Sequence, residues 1–221
     1  MGKSVELELI HSYKVKTTIH YPPIHLSFDI EMVRTIINLF LYNIRMLTGD
    51  QVEDLAVKMD IPLVFVGFKD GLARQKLQYN KSYIINLENE FDDEGERNEG
   101  SHFTALQVNQ YPNGKIEPIY FDSMGMPPPE IVKTFVGQYV PYNTKDIQSL
   151  VANFCGWASL AFLHYINAYD KRSNHLYQDV EDFLELFDDL NKSVDWKKNE
   201  YILKMFFQSK DPTKRNPIEV F

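Results

Sequence analysis

Four residue types in this chain, in their chain order, could carry out covalent chemistry. His102 heads one predicted strand, Asp122 ends the next, Gln148 follows, and Cys155, the only cysteine, comes last. A base, a carboxylate, an amide donor and a thiol are the parts of a cysteine-nucleophile hydrolase. Cys155 precedes Gly156 and an apolar run from Trp157 to Tyr169. A thiol at the start of a helix lies near the partial positive charge of unpaired N–H groups, which favours the nucleophilic thiolate. A protonated imidazole from His102 would favour it further. Gly156, with no side chain, is expected to let a substrate backbone approach. An acyl-transfer site must also stabilise an oxyanion, and the Gln148 amide beside the backbone N–H of Cys155 could supply the donors. Taken singly, each residue has a plainer reading. A lone cysteine before an apolar helix is usually a small buried hydrophobe, and His102, Asp122 and Gln148 could be a surface histidine, a turn cap and a solvated amide. It is the combination that points to catalysis.

The elements that must position these groups can be read from pattern. Pro112-Asn113-Gly114 between two strand-like runs, 102–111 and 116–123, signals a hairpin. If those three residues form the loop, Tyr111 faces Lys115, His102 faces Met124 and Thr104 faces Asp122. His102 and Asp122 then share a face as diagonal neighbours, about 7–8 Å apart at the backbone. A two-residue Asn-Gly turn would place them on opposite faces. Thr48 with Gln51 forms a capping-box signature for a helix to about Met59, ended by Pro62. Leu63–Phe68 and Ser82–Leu87 read as strands. Residues 88–99 read as an acidic exposed loop, more simply a solvated segment than a device for attracting basic substrate. A short helix at Glu130–Val136 follows Pro127-Pro128-Pro129. Tyr139–Tyr142 could add a strand, and helices are expected at 178–190 and 196–207. Upstream, residues 4–27 read as a strand or extended arm and 29–47 as a helix; 211–221 read as a tail. Segregated helices and antiparallel strands together indicate an α+β fold.

Bulk properties narrow the function classes. At 221 residues the chain can bury a full core without staples. One cysteine excludes an internal disulfide framework and a thiolate-rich zinc site. Net charge is −8, which does not support broad nucleic-acid binding. The longest apolar stretch, 32–47, is interrupted by Arg34, Asn38, Asn43 and Arg45, so no membrane span is expected. His164 reads as a satisfied core histidine, and His11, His20 and His25 have no zinc-site spacing.

Gly100-Ser101-His102-Phe103, Asp122, Gln148-Ser149 and Cys155-Gly156 resemble the signature of the adenovirus-protease-like (adenain-like) cysteine proteases, of the clan that includes the ubiquitin-like-protein proteases. The seven-residue step from Gln148 to Cys155 looks like the adenovirus branch. Residues 47–52, 65–70, 83–87 and 120–128 are similar to the proteases of virophages and Polinton/Maverick elements. The resemblance runs from about Leu47 to Tyr165. It implies a central helix carrying the nucleophile, packed against a mainly antiparallel sheet, with a papain-like site. It implies His102 as general base, Asp122 as its orienting partner, Cys155 as nucleophile and Gln148 in the oxyanion hole. One protease domain over 1–221 is expected, with 1–46 as an N-terminal extension and 170–221 as a helical segment packed onto it. The implied activity is an endopeptidase that trims viral capsid and core precursors during virion maturation, acting in the virion and at the cytoplasmic assembly site, with small residues beside the scissile bond. The alternatives are a deconjugase for ubiquitin or a ubiquitin-like modifier, and a non-catalytic virion or scaffold-binding protein. Three departures from the family pattern stand out. Phe103 replaces the usual Trp. The acidic charge argues against activation by DNA. The single cysteine cannot both attack substrate and hold a peptide cofactor through a disulfide. No cofactor is expected to be required, and a peptide or DNA activator is left open.

Overall fold

The computed structural model describes residues 46–148, 153–168, 176–191 and 196–208. The expected N-terminal arm, the first helix and the tail lie outside them.

Thr48 starts helix α1 (Gly49–Lys58) with both halves of a capping box: its hydroxyl accepts from Gln51 N, and the Gln51 carboxamide accepts from Thr48 N at 3.0 Å. Val52, Leu55, Ala56 and Met59 recur at helical spacing and are all buried. Strand β1 (Leu63–Phe68) leads into a single helical turn, α2 (Lys69–Leu72), and then β2 (Lys81–Asn86). Strands β3 (Phe103–Gln110) and β4 (Ile116–Phe121) form the hairpin. Helices α3 (Glu130–Val136), α4 (Cys155–Ala168), α5 (Leu176–Glu185) and α6 (Trp196–Gln208) complete the described elements.

The sheet order is β1-β2-β3-β4, with β1 and β2 parallel and the other two pairings antiparallel. The parallel pair was not apparent in the sequence, because its crossover is one turn of helix and a loop rather than a full helical segment. The α+β class and the central helix on a mainly antiparallel sheet are as expected.

Side chains alternate between two cores. Ile84, Ala105, Ile119 and Phe121 face α1, α4, α5 and α6, and Tyr83, Ile85, Leu106, Val108 and Tyr120 face α2 and α3. On the larger side, Phe121 stacks on Phe162 of α4 at 4.4 Å, and Phe183 of α5 meets both rings edge-on at 5.8 and 5.6 Å. His164 is a core histidine, with Nδ1 3.2 Å from the Met59 carbonyl and its ring edge-on to Phe206.

Register settles which face the site residues share. Ala105 pairs with Phe121 and Gln110 with Ile116, so Tyr111 faces Lys115 across a three-residue loop. Tyr111 N donates to Lys115 O at 2.9 Å, and Gly114 takes φ +83°, which only glycine adopts without strain. Residues 139–142 do not form the expected strand. Tyr142 makes an isolated bridge to Tyr120, and Tyr120 N donates to Pro141 O at 2.9 Å. Pro141 has no N–H to extend a ladder.

Glu117 ties the hairpin to the last helices. Its carboxylate is 2% exposed and accepts from Lys115 Nζ, from the Tyr111 hydroxyl at 2.9 Å and from Leu176 N, at the start of α5, at 3.2 Å. Burial alone would raise its pKa, but these donors outweigh burial and hold it below the ordinary value. A depressed carboxylate stabilises the fold above its unfolded pKa and loses that contribution as pH falls through the folded value. Glu117→Gln should therefore lower stability near neutrality by about 1.5–3 kcal/mol. It should also flatten the fall in stability below about pH 4. Denaturant unfolding across acid pH reads both effects.

Candidate active site

The hairpin register carries His102 and Asp122 just past the ends of β3 and β4 on one face. There, His102 Nε2 lies 2.8 Å from Asp122 Oδ1. With Nε2 engaged by a carboxylate, Nδ1 is the nitrogen left for the sulfur, and the Cys155 side chain lies near enough to the ring to favour its charged form. The structure thus brings together three of the four residues singled out in sequence. Cys155 opens α4, whose first N–H groups have no intrahelical acceptor.

The electrostatics follow from this packing. Burial disfavours the charged imidazole, but the bond to Asp122 and the nearby Cys155 outweigh it and push the His102 pKa up to about 9. At neutral pH the ring is therefore imidazolium. It can stand as counter-ion to a thiolate and later give its proton to a leaving group.

Asp122 is 1% exposed and fixed from several sides. Oδ1 also accepts from Met124 N at 2.8 Å. The Asn143 carboxamide grips its backbone, accepting from Asp122 N at 2.9 Å and donating to Asp122 O at 2.6 Å. Gly125 N donates to Asp122 O at 2.9 Å, in a turn where Gly125 takes φ +70°. A Cβ at Gly125 would sit 2.8 Å from the Thr144 carbonyl oxygen, so glycine is required there.

Gln148 joins the group through Ser123. The Ser123 hydroxyl donates to Gln148 Oε1 at 2.7 Å, and the Ser123 carbonyl accepts from Gln148 N at 3.0 Å and Ile147 N at 2.8 Å. With Oε1 held by Ser123, the carboxamide orientation is set. The segment carrying Gln148 is also held by the C-terminal helices: Asn199 of α6 donates to Ile147 O at 3.1 Å, and Lys145 Nζ to Leu184 O of α5 at 2.7 Å.

One sequence expectation needs revision. Gly156 does not open a path for substrate. A Cβ there would meet Leu47 at 3.3 and 3.4 Å and the Phe103 ring at 3.4 Å, so the glycine lets α4 close on the start of β3. That packing, together with the Ser159 hydroxyl donating to Phe103 O at 3.3 Å, sets Cys155 beside His102. The acidic loop is exposed over residues 91–97, in line with its reading as a solvated segment. It is a turn built on Asp92, whose Oδ1 accepts from Glu94 N and Glu96 N. Asn143 and Asn199 escaped sequence reading, because nothing in their local pattern sets them apart from solvated loop or helix-surface amides.

No family model and no curated protein matches the sequence. Among solved structures, the chain is weakly similar to HopZ1a, whose crystal structure is in complex with IP6. The TM-score is 0.34 and the identity 11%, covering 68% of this chain and 52% of HopZ1a, so this chain spans about half of that one. Among the described residues, no group of three or more His, Cys, Asp and Glu side chains could hold a metal ion, and no helix is long and apolar enough to cross a membrane.

Both Asp122→Asn and Cys155→Ala should lower the His102 pKa from about 9, because each removes a group that stabilises the imidazolium while burial continues to oppose it. In Asp122→Asn the ring should titrate near or below its ordinary value of about 6.5. Imidazole NMR shifts followed against pH give the value directly.

Proposed function

We propose that the protein is a cysteine endopeptidase acting through an acyl-enzyme on Cys155. The observation that carries this reading is the imidazole of His102 bonded to buried Asp122 at 2.8 Å, with Cys155 near enough to favour the charged ring. In the reaction, the thiolate attacks the scissile carbonyl. The oxyanion that forms is stabilised by the Cys155 backbone N–H and the Gln148 amide. His102 protonates the departing amine and leaves a thioester. Water, deprotonated by His102, then attacks the thioester, releasing the carboxylic acid and restoring the thiol. Each donor to the oxyanion typically contributes about 10²–10³ in rate.

The resemblance to the adenain-like proteases extends the proposal to substrate and setting: capsid and core precursors, cleaved during virion maturation at the viral assembly site. Cys155→Ala should abolish cleavage of a co-expressed capsid precursor, read by mass mapping of new termini. Cleavage that persists in this variant removes the assignment.

The burial of Cys155, 2% exposed, favours a second reading in which the fold serves a non-catalytic scaffold role. Iodoacetamide at neutral pH separates the two. A catalytic thiol paired with imidazolium is alkylated faster than free cysteine, and the rate falls when His102 is replaced by Ala. A thiol that stays unlabelled until the protein unfolds supports the scaffold reading.

A further inference from the structure

We propose that a cavity next to the nucleophile binds a basic, extended stretch of the polypeptide substrate, with Asn86 donating a hydrogen bond to one of its main-chain carbonyls. This rests on the peptidase reading and adds a substrate class to it. The cavity measures about 700 Å³ and lies between the start of α1, the end of β1 and residues 97–100 of the loop before His102. That volume suits a ligand of several residues. None of the four candidate catalytic residues lines it. Its lining does include Leu47 and Phe103, the two side chains that close on Gly156. Phe103 follows His102 and Gly156 follows Cys155, so side chains that line the cavity also pack beside the nucleophile's helix. A chain passing over those side chains would have its scissile bond at the sulfur and neighbouring residues in the cavity.

Asn86 marks where the main chain would run. It ends β2, lines the cavity and is 4% exposed. Its Oδ1 is committed, accepting from Glu88 N at 3.0 Å and Ser101 N at 3.4 Å. Its Nδ2 has no acceptor among the described residues. Nδ2 keeps access to solvent, and a peptide carbonyl can take the place of water as its acceptor. Gly100, at φ +88°, keeps that donor clear, because a Cβ there would sit 2.2 Å from Nδ2.

Charge defines the side chains that would accompany this carbonyl. Asp50, Glu53, Glu90 and Glu99 line the cavity against Arg74 and Arg97. Both guanidinium groups already face Glu90 at 3.6 Å. Asp50, Glu53 and Glu99 are exposed and present an acidic rim to lysine or arginine.

The test is fluorescence anisotropy on the full chain carrying Cys155→Ala, with a lysine-bearing glycine-rich peptide and its counterpart carrying glutamate at each lysine. The lysine peptide should bind more tightly, with an advantage that shrinks as salt rises. Glu53→Gln with Glu99→Gln should weaken it roughly twofold to thirtyfold, the range for two exposed charge pairs. Asn86→Asp keeps the Oδ1 acceptor and removes the donor. At high salt it should weaken binding about tenfold. Equal binding of the two peptides, or binding of neither, overturns the proposal. Because binding is read without turnover, precursor cleavage by the unmodified protein with no preference between the peptides would sink the cavity's role alone. Preference without cleavage would sink the peptidase reading alone.

Discussion

Asp122 is the residue on which the site depends, because it is a carboxylate with almost no access to water. A buried charge persists only when paired and hydrogen-bonded. Its Oδ1 is satisfied by His102 and Met124 N, and Oδ2 is buried without a partner among the described residues. The imidazole keeps its proton past neutrality because Asp122 and Cys155 together stabilise the charged ring against burial. The rest of the local architecture is devoted to keeping this carboxylate in place. The end of β4, the Asn143 carboxamide and the turn at Gly125 each grip its backbone.

The same residues explain why distant parts of the chain are needed. The Asn143–Gln148 segment has no regular secondary structure of its own, so its backbone must be satisfied by neighbours. Ser123 supplies one side, and Lys145, Asp146 and Ile147 reach α5, α6 and the turn between them on the other. The final helices therefore do more than cover apolar surface. They hold the strip of chain that brings Gln148 to the end of the sheet.

Much of this could be read in the sequence, and the reasons differ by residue. The hairpin register followed from Pro112-Asn113-Gly114, since loop length and parity decide which side chains share a face. The capping box at Thr48 and the opening of α4 at Cys155 are local signals, and local signals survive in sequence. The parallel pairing of β1 and β2, the clamp at Asn143 and the polar anchor at Asn199 all depend on segments far apart in the chain. Gly156 was readable as important and misread as to cause, because a glycine in sequence does not say whether substrate or a neighbouring side chain needs the space. Residues 139–142 have strand-like composition, yet proline at 141 leaves no ladder to build.

A single thiol has a chemical consequence for the life of the protein. An oxidant that converts Cys155 to a sulfenic acid meets no second thiol in the chain to capture it as a disulfide. Recovery by a disulfide then needs a thiol from outside the chain, and further oxidation leads to sulfinic and sulfonic acids. The working lifetime of the site is thereby tied to the reducing capacity of the compartment that holds it.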